Sequence, residues 1–106
     1  MSSKVRQVLR KVKKELLRIY GGQLDRIILY GSQARGDAAM DSDIDILLVM
    51  KDDFDYMEAL KRSDDQMAAL SLDHDVVISR AFVSKREYLE RQSPFLINVR
   101  RDGVAV

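Results

Sequence analysis

The chain contains no cysteine. Disulfides and thiolate metal sites are thereby excluded, and the composition points to a reducing cytoplasm. It also lacks charge of one dominant sign: 18 Lys and Arg against 17 Asp and Glu leave a formal net charge of +1. Proteins that bind nucleic acid by neutralising phosphates usually carry a clear basic excess, so that class is disfavoured. No apolar run reaches the length that spans a bilayer. The N-terminus is basic, but no apolar stretch of the signal-peptide kind follows it. Repeats, low-complexity segments and linkers are missing as well, so residues 1–106 read as one domain. What is present is an ordinary soluble balance, 46% apolar and 33% charged, sufficient for a core.

Helices and strands alternate along the chain. Val5, Val8, Leu9, Val12, Leu16 and Ile19 recur at helical spacing, which predicts an amphipathic helix over 4–20 with Gly21-Gly22 as its stop. Its other face is filled with Lys and Arg, read as a solvated surface. Arg26 to Tyr30 is short, apolar and β-branched, and reads as a buried strand. A short helix is expected from Ser32 to about Ala38. Ile44 to Met50 is nearly continuous in apolar residues, so both faces of that strand are expected to be covered. Asp52 and Asp53 are candidate caps for a helix from Phe54, with Met57, Leu60, Met67 and Leu70 also facing the core. Asp75 to Ser79 reads as a third strand and 84–91 as a helix. The single proline, Pro94, opens a last helix that ends at Gly103, and 104–106 can form an edge strand. This pattern predicts an α/β layer packing.

The residues with chemical potential cluster early. Gly31-Ser32 closes a strand and opens a polar segment. Gly31 permits close approach of backbone to a ligand, and a helix beginning at Ser32 would aim amides at a phosphate. The spacing of Gly31 and Gly36 fits a Walker A loop, but Asp37 stands where that motif needs Lys, so a P-loop is rejected. Arg35 is a cation available to phosphate oxygens, or equally a partner for Asp37 or Asp41 that shapes the loop.

Asp43 and Asp45 open the strand that follows. Residues two apart in a strand share a face, so the two carboxylates repel unless a cation sits between them. Mg²⁺ accepts one or two carboxylates together with phosphate oxygens and water. An EF-hand is excluded: counted from Asp41, Ile46 falls where the loop needs Gly and Asp52 where it needs Glu. A third acid, Asp75, precedes another apolar strand. Were that strand beside Ile44–Met50, three carboxylates could hold two metal ions roughly 3.5–4 Å apart, with Asp75 as ligand and general base. Asp73 shares its face and is the alternative. His74, between them, points the other way and reads as structural or surface.

Gly31-Ser32, ten intervening residues, then Asp43-x-Asp45 resembles the signature of the polymerase-β-type nucleotidyltransferase superfamily. The fuller string Gly-Ser-x-Ala-Arg-Gly, the Ser-Asp-Ile-Asp that follows, and the C-terminal Ser93-Pro94-Phe95 through Gly103-Val104 resemble its minimal nucleotidyltransferase branch. The resemblance covers essentially the whole chain. It implies a polymerase-beta-like α/β fold, a small mixed sheet flanked by helices. It implies that Gly31 and Ser32 bind the triphosphate of ATP, that Asp43 and Asp45 hold Mg²⁺, and that Asp75 is the third catalytic carboxylate and metal ligand. The implied reaction moves a nucleoside monophosphate to a hydroxyl and releases pyrophosphate. The branch is commonly paired with a helical HEPN-type toxin, which the nucleotidyltransferase, as antitoxin, inactivates by adding AMP to a tyrosine. A chain this short leaves little room for an acceptor pocket, in keeping with an acceptor on a second molecule. Two other readings stand beside this one: an antitoxin that neutralises its partner by binding alone, and a small-molecule nucleotidyltransferase of the aminoglycoside-modifying kind.

Overall fold

The computed structural model describes residues 1–36 and 42–106. Helix α1 (Ser3–Tyr20) starts where the Ser2 hydroxyl accepts the Val5 N–H at 3.2 Å. Its stripe from Val5 to Leu16 is buried as the spacing predicts. A single turn at Gly21–Gln23 leads into β1 (Leu24–Tyr30), which begins two residues before the expected Arg26. The four-residue α2 (Ser32–Arg35) follows Gly31 and closes at Gly36 in the left-handed region, φ 78. The expected continuation of this helix to Ala38 lies outside the described residues.

Strand β2 (Ile44–Met50) occupies its predicted span and forms the centre of the sheet. It pairs antiparallel with β1 and parallel with β3 (Ile78–Ser84), while the short β4 (Val104–Ala105) lies antiparallel on the far edge of β1. The order is β3-β2-β1-β4. Ile44, Ile46, Leu47, Leu48 and Val49 have 0% exposure, so both faces of β2 are covered. Ile44, Ile46 and Leu48 pack with the α1 stripe, Ala59, Met67 and Phe82. Leu47 and Val49 face the other way, toward Ile28, Val83, Leu96 and Val99.

A parallel neighbour requires a crossover, and here two helices supply it. One helix was expected from Phe54; instead α3 (Tyr56–Arg62), capped by Asp55 rather than Asp52 or Asp53, gives way to α4 (Asp64–His74) at Ser63. The physical reason is at Ser63 itself. It is fully buried, and its hydroxyl is held 2.8 Å from the Tyr20 hydroxyl and 2.5 Å from Arg80 Nη1. Its backbone, φ −117 and ψ 6, departs from helical geometry. In the first turn of α3 Met57, expected in the core, is 57% exposed, and Ala59 is the buried residue of that helix.

The third strand also differs from expectation. It was read over Asp75–Ser79, but α4 runs through His74 and Asp75 closes it in the left-handed region, φ 51 and ψ 52. An acidic residue tolerates that conformation better than a β-branched one. The strand therefore starts at Ile78 and continues past Arg80, a charge that interrupts the apolar pattern. Arg80 is accommodated because its guanidinium donates to the Leu60 carbonyl and Ser63 hydroxyl and pairs with Asp64 at 2.7 Å.

Beyond β3, Ser84 and Glu87 form a reciprocal capping box at the start of α5 (Lys85–Glu90). Ser93 and Pro94 open α6 (Pro94–Asp102). Gly103 ends it where a Cβ would lie 2.5 Å from the Val99 carbonyl oxygen and 2.6 Å from Ile28. The chain can then turn into β4 only without a side chain. No helix among the described residues is long and apolar enough to cross a membrane.

The buried Tyr20 hydroxyl donates to the Ala59 carbonyl and joins α1 to the α3–α4 break. Tyr20→Phe leaves that carbonyl without its donor, at an expected cost of about 1–3 kcal/mol. Urea denaturation should show a lower midpoint with an unchanged slope; an unchanged midpoint would remove the network from the account of the break.

Candidate active site

Sheet register builds the site. Tyr30 of β1 is level with Asp45 of β2, and Asp45 is level with Ser79 of β3. Side chains alternate along each strand. Ile44, Ile46, Ile78 and Phe82 pack in the larger core layer, so Tyr30, Asp45 and Ser79 form a row on the opposite face. Helices α5 and α6 cover that face over Leu47 and Val49. At the N-terminal ends of β2 and β3 the row emerges from that cover, with Asp45 and Ser79 half-buried. Asp43 shares the face of Asp45 one step further out and is exposed.

Gly31 closes over this end. Its backbone, φ 73 and ψ −157, lies in a region essentially reserved for glycine. A Cβ there would fall 2.5 Å from Asp45 Oδ2. The Gly-Ser turn and the second carboxylate of the Asp-x-Asp pair are therefore in direct apposition. Gln33, buried on α2, donates to the Ser42 carbonyl at 3.3 Å and ties the turn to the segment entering β2. The Ile44 N–H donates to the Val77 carbonyl at 2.8 Å and anchors the other side. Ser32, the first residue of α2, is half-buried beside this apposition.

The electrostatics follow from the crowding. Burial, and then the Asp43 charge, push the Asp45 carboxyl above the usual carboxylate range. Burial raises the Tyr30 phenol too, with Asp45 adding to it. An anion held under strain beside a second anion favours a cation or a phosphate-bound metal between them. Asp43 and Asp45 are residues that could hold a divalent cation, since Mg²⁺ accepts one or two carboxylates together with phosphate oxygens and water.

The structure does not bring Asp75 to this pair. It caps α4, exposed, three residues ahead of β3. Among the described residues no group of three acidic, His or Cys side chains converges to hold a metal. The expected three-carboxylate arrangement of Asp43, Asp45 and Asp75 is not assembled among the described residues, where β3 starts three residues after Asp75. Asp73, the alternative, is an exposed residue of α4. His74 lies 3.2 Å from Lys11 Nζ on α1, as expected of a residue outside the site.

Beside Gly31 lies a cavity of about 180 Å³ lined by Tyr30, Arg35, Phe95, Asn98 and Asp102. Phe95 meets the Tyr30 ring edge-on at 5.2 Å and remains 41% exposed. Arg35, expected at phosphate oxygens or at Asp37 or Asp41, projects to this cavity. Asp37 and Asp41 lie outside the described residues. The Asp102 carboxyl is held low chiefly by a hydrogen bond from Arg101, with a smaller contribution from the Arg35 charge. In the sequence Phe95 and Asn98 belong to the stretch that resembles the minimal branch, with no site role attached, and Asp102 carries none either. The signal was available: 95, 98 and 102 fall at i, i+3 and i+7, one face of a helix that Pro94 opens.

Residues 9–101 match a family model described as a nucleotidyltransferase domain. A protein of Methanocaldococcus jannaschii, provisionally named a protein adenylyltransferase, is 31% identical over 100 residues, 94% of this chain and 96% of that relative. Among solved structures, a chain of a toxin–antitoxin crystallised with AMP-PNP superposes with a TM-score of 0.60 at 28% identity, covering 91% of this chain and 69% of that one. A chain provisionally described as a minimal nucleotidyltransferase gives 0.55 at 24% identity, covering 94% of each, and shares the fold.

Two substitutions probe the geometry. Gly31→Ala should cost about 1–3 kcal/mol in backbone strain alone, and more once the new methyl meets Asp45. A chemical denaturation midpoint equal to that of the wild type would contradict the apposition. Asp45→Asn should raise the melting temperature in EDTA at neutral pH. The sign follows from the raised carboxyl. Above the folded-state value the ion is destabilised relative to the unfolded chain, and the penalty disappears as pH falls below the unfolded value. The gain from Asp45→Asn should therefore fade toward acid pH; a gain independent of pH would contradict it.

Proposed function

The chain belongs to the nucleotidyltransferase domain family, and from that premise we propose that it transfers AMP from ATP to a hydroxyl of a partner protein. The observation that carries the proposal is the apposition of Gly31 and Asp45 at the open end of the sheet, with Asp43 beside them. Three further similarities support it: the 31% identical relative named for protein adenylyltransfer, the toxin–antitoxin neighbour crystallised with AMP-PNP, and the resemblance to minimal nucleotidyltransferases.

In this reading Gly31 and Ser32 receive the triphosphate. Gly31 lets it approach because no side chain intervenes, and the Ser32 hydroxyl adds a donor. Asp43 and Asp45 hold Mg²⁺, which when bound offsets the charge of the phosphates and polarises the phosphorus under attack. Arg35 adds a cation at the edge of the cavity beside Gly31. The acceptor hydroxyl oxygen forms a bond to the α-phosphorus and gives its proton to solvent water, while the bond from the α-phosphorus to the bridging oxygen breaks and that oxygen leaves with pyrophosphate. The acceptor is placed on a helical HEPN-type toxin, at a tyrosine, and the chain acts as its antitoxin. The cavity of about 180 Å³ lined by Tyr30, Gly31, Arg35, Phe95, Asn98 and Asp102 adjoins the Gly-Ser turn. A nucleotide held at that turn would lie beside it, with the acceptor hydroxyl supplied by the partner.

Incubation with Mg²⁺, ATP and a helical HEPN-type toxin as the partner, followed by intact-protein mass spectrometry, tests the proposal. An AMP-sized gain on the partner is expected, reduced at least about a hundredfold by Asp43→Asn or Asp45→Asn, in line with the loss of a principal electrostatic contributor. Full transfer by either variant would contradict the assigned roles. No gain on the partner, with neutralisation in cells retained by the double variant, would replace catalysis by occlusion.

A further inference from the structure

We propose that the site holds a single divalent cation, on Asp43 and Asp45, because Ser79 occupies the position from which a third carboxylate would complete a two-ion centre. The inference rests on the nucleotide-transfer reading above and concerns what this chain's own strands supply to it.

The argument is one of register and parity. Neighbouring strands lie about 4.8 Å apart, so the residue of β3 level with Asp45 is the nearest position on that strand from which a ligand could share an ion with it. That residue is Ser79. Extending the parallel register by one residue from the Ile44–Ile78 pair puts Val77 level with Asp43. The other residues of β3 on the same face are Ala81 and Val83. None of these four positions is acidic. Arg80, the charged residue of the strand, points to the opposite face and is engaged by Ser63 and Asp64. On the other side of Asp45 the level residue is Tyr30, whose ring packs on Phe95. Asp75, the nearest acid in sequence, is turned out of the strand by the left-handed closure of α4.

Chemistry makes the difference consequential. A two-ion centre is held by carboxylates that offset four positive charges together with the phosphates. A serine hydroxyl is neutral and brings no charge to the second ion. Mg²⁺ bound through two carboxylates and phosphate oxygens needs no third acid, so the donor set among the described residues matches one ion.

Mn²⁺ as a paramagnetic substitute reads this directly. Two Mn²⁺ ions roughly 4 Å apart, the separation of a two-ion centre, couple their spins, whereas one gives the hyperfine pattern of an isolated ion. With the full chain, Mn²⁺ and a non-hydrolysable ATP analogue, electron paramagnetic resonance should show the isolated pattern. Ser79→Asp should convert it to the coupled pattern, and Asp75→Asn should leave it unchanged. A coupled spectrum from the wild type, or its Mn²⁺ signal altered by Asp75→Asn, would overturn the inference. So would a folded Ser79→Asp variant that keeps the isolated pattern. Absence of any protein-bound analogue and Mn²⁺ in the wild type would overturn the nucleotide-transfer reading itself, a result distinct from either spectrum.

Discussion

Burial of β2 on both faces is the constraint on which the rest depends. Five of its residues are fully inaccessible, and they divide between two apolar layers. A strand buried in this way must have a neighbour on each side and cover above and below. The antiparallel partner comes cheaply from β1, which precedes it. The parallel partner demands a crossover, and α3 and α4 are spent on it. Only the N-terminal end of β2 escapes cover on the α5–α6 face, and the Asp-x-Asp pair stands there. The central strand therefore stabilises the fold along its length and presents charge at its mouth.

The pair is placed against its own interest. Burial and mutual repulsion lift the Asp45 carboxyl, so the unliganded site costs stability at neutral pH. Gly31 adds a backbone conformation closed to other residues, and a Cβ there would lie 2.5 Å from Asp45 Oδ2. Strain and repulsion in a few adjoining residues of an otherwise well-packed sheet are expected where a ligand restores the balance. In the proposed function, a cation between the carboxylates and phosphates against the glycine would do so together. The two halves of the Gly-Ser and Asp-x-Asp signature are thus one electrostatic unit, joined by the Gln33 bond to the approach of β2.

Much of this was legible in the sequence, for identifiable reasons. β2 was read over its observed span because its apolar run is long and its flanks polar. The α1 stripe and the Ser93-Pro94 opening of α6 follow rules of spacing and capping that act within one turn. What was not legible depended on distant partners. Ser63 looks like an ordinary helical position until Tyr20 and Arg80 claim its hydroxyl, and only then does the helix break. Arg80 ends an apolar run on paper, whereas in the fold its charge is offset by Asp64 and the strand passes through. The strand accordingly starts at Ile78, later than its apolar run suggests, and Asp75 stands on the turn that closes α4. The acids of β2 were found because alternation is local; the residue facing them from β3 could not be, because parallel register is set by the crossover.

The central claim is that Asp43 and Asp45 hold a metal against phosphates received by Gly31 and Ser32. Crystals of this chain grown with Mn²⁺ and a non-hydrolysable ATP analogue, measured for anomalous scattering, test it most directly. The account expects an anomalous peak between the two carboxylates, with the phosphates at the Gly31–Ser32 turn. A peak elsewhere, or the analogue bound away from that turn with no metal at Asp43 and Asp45, would contradict it.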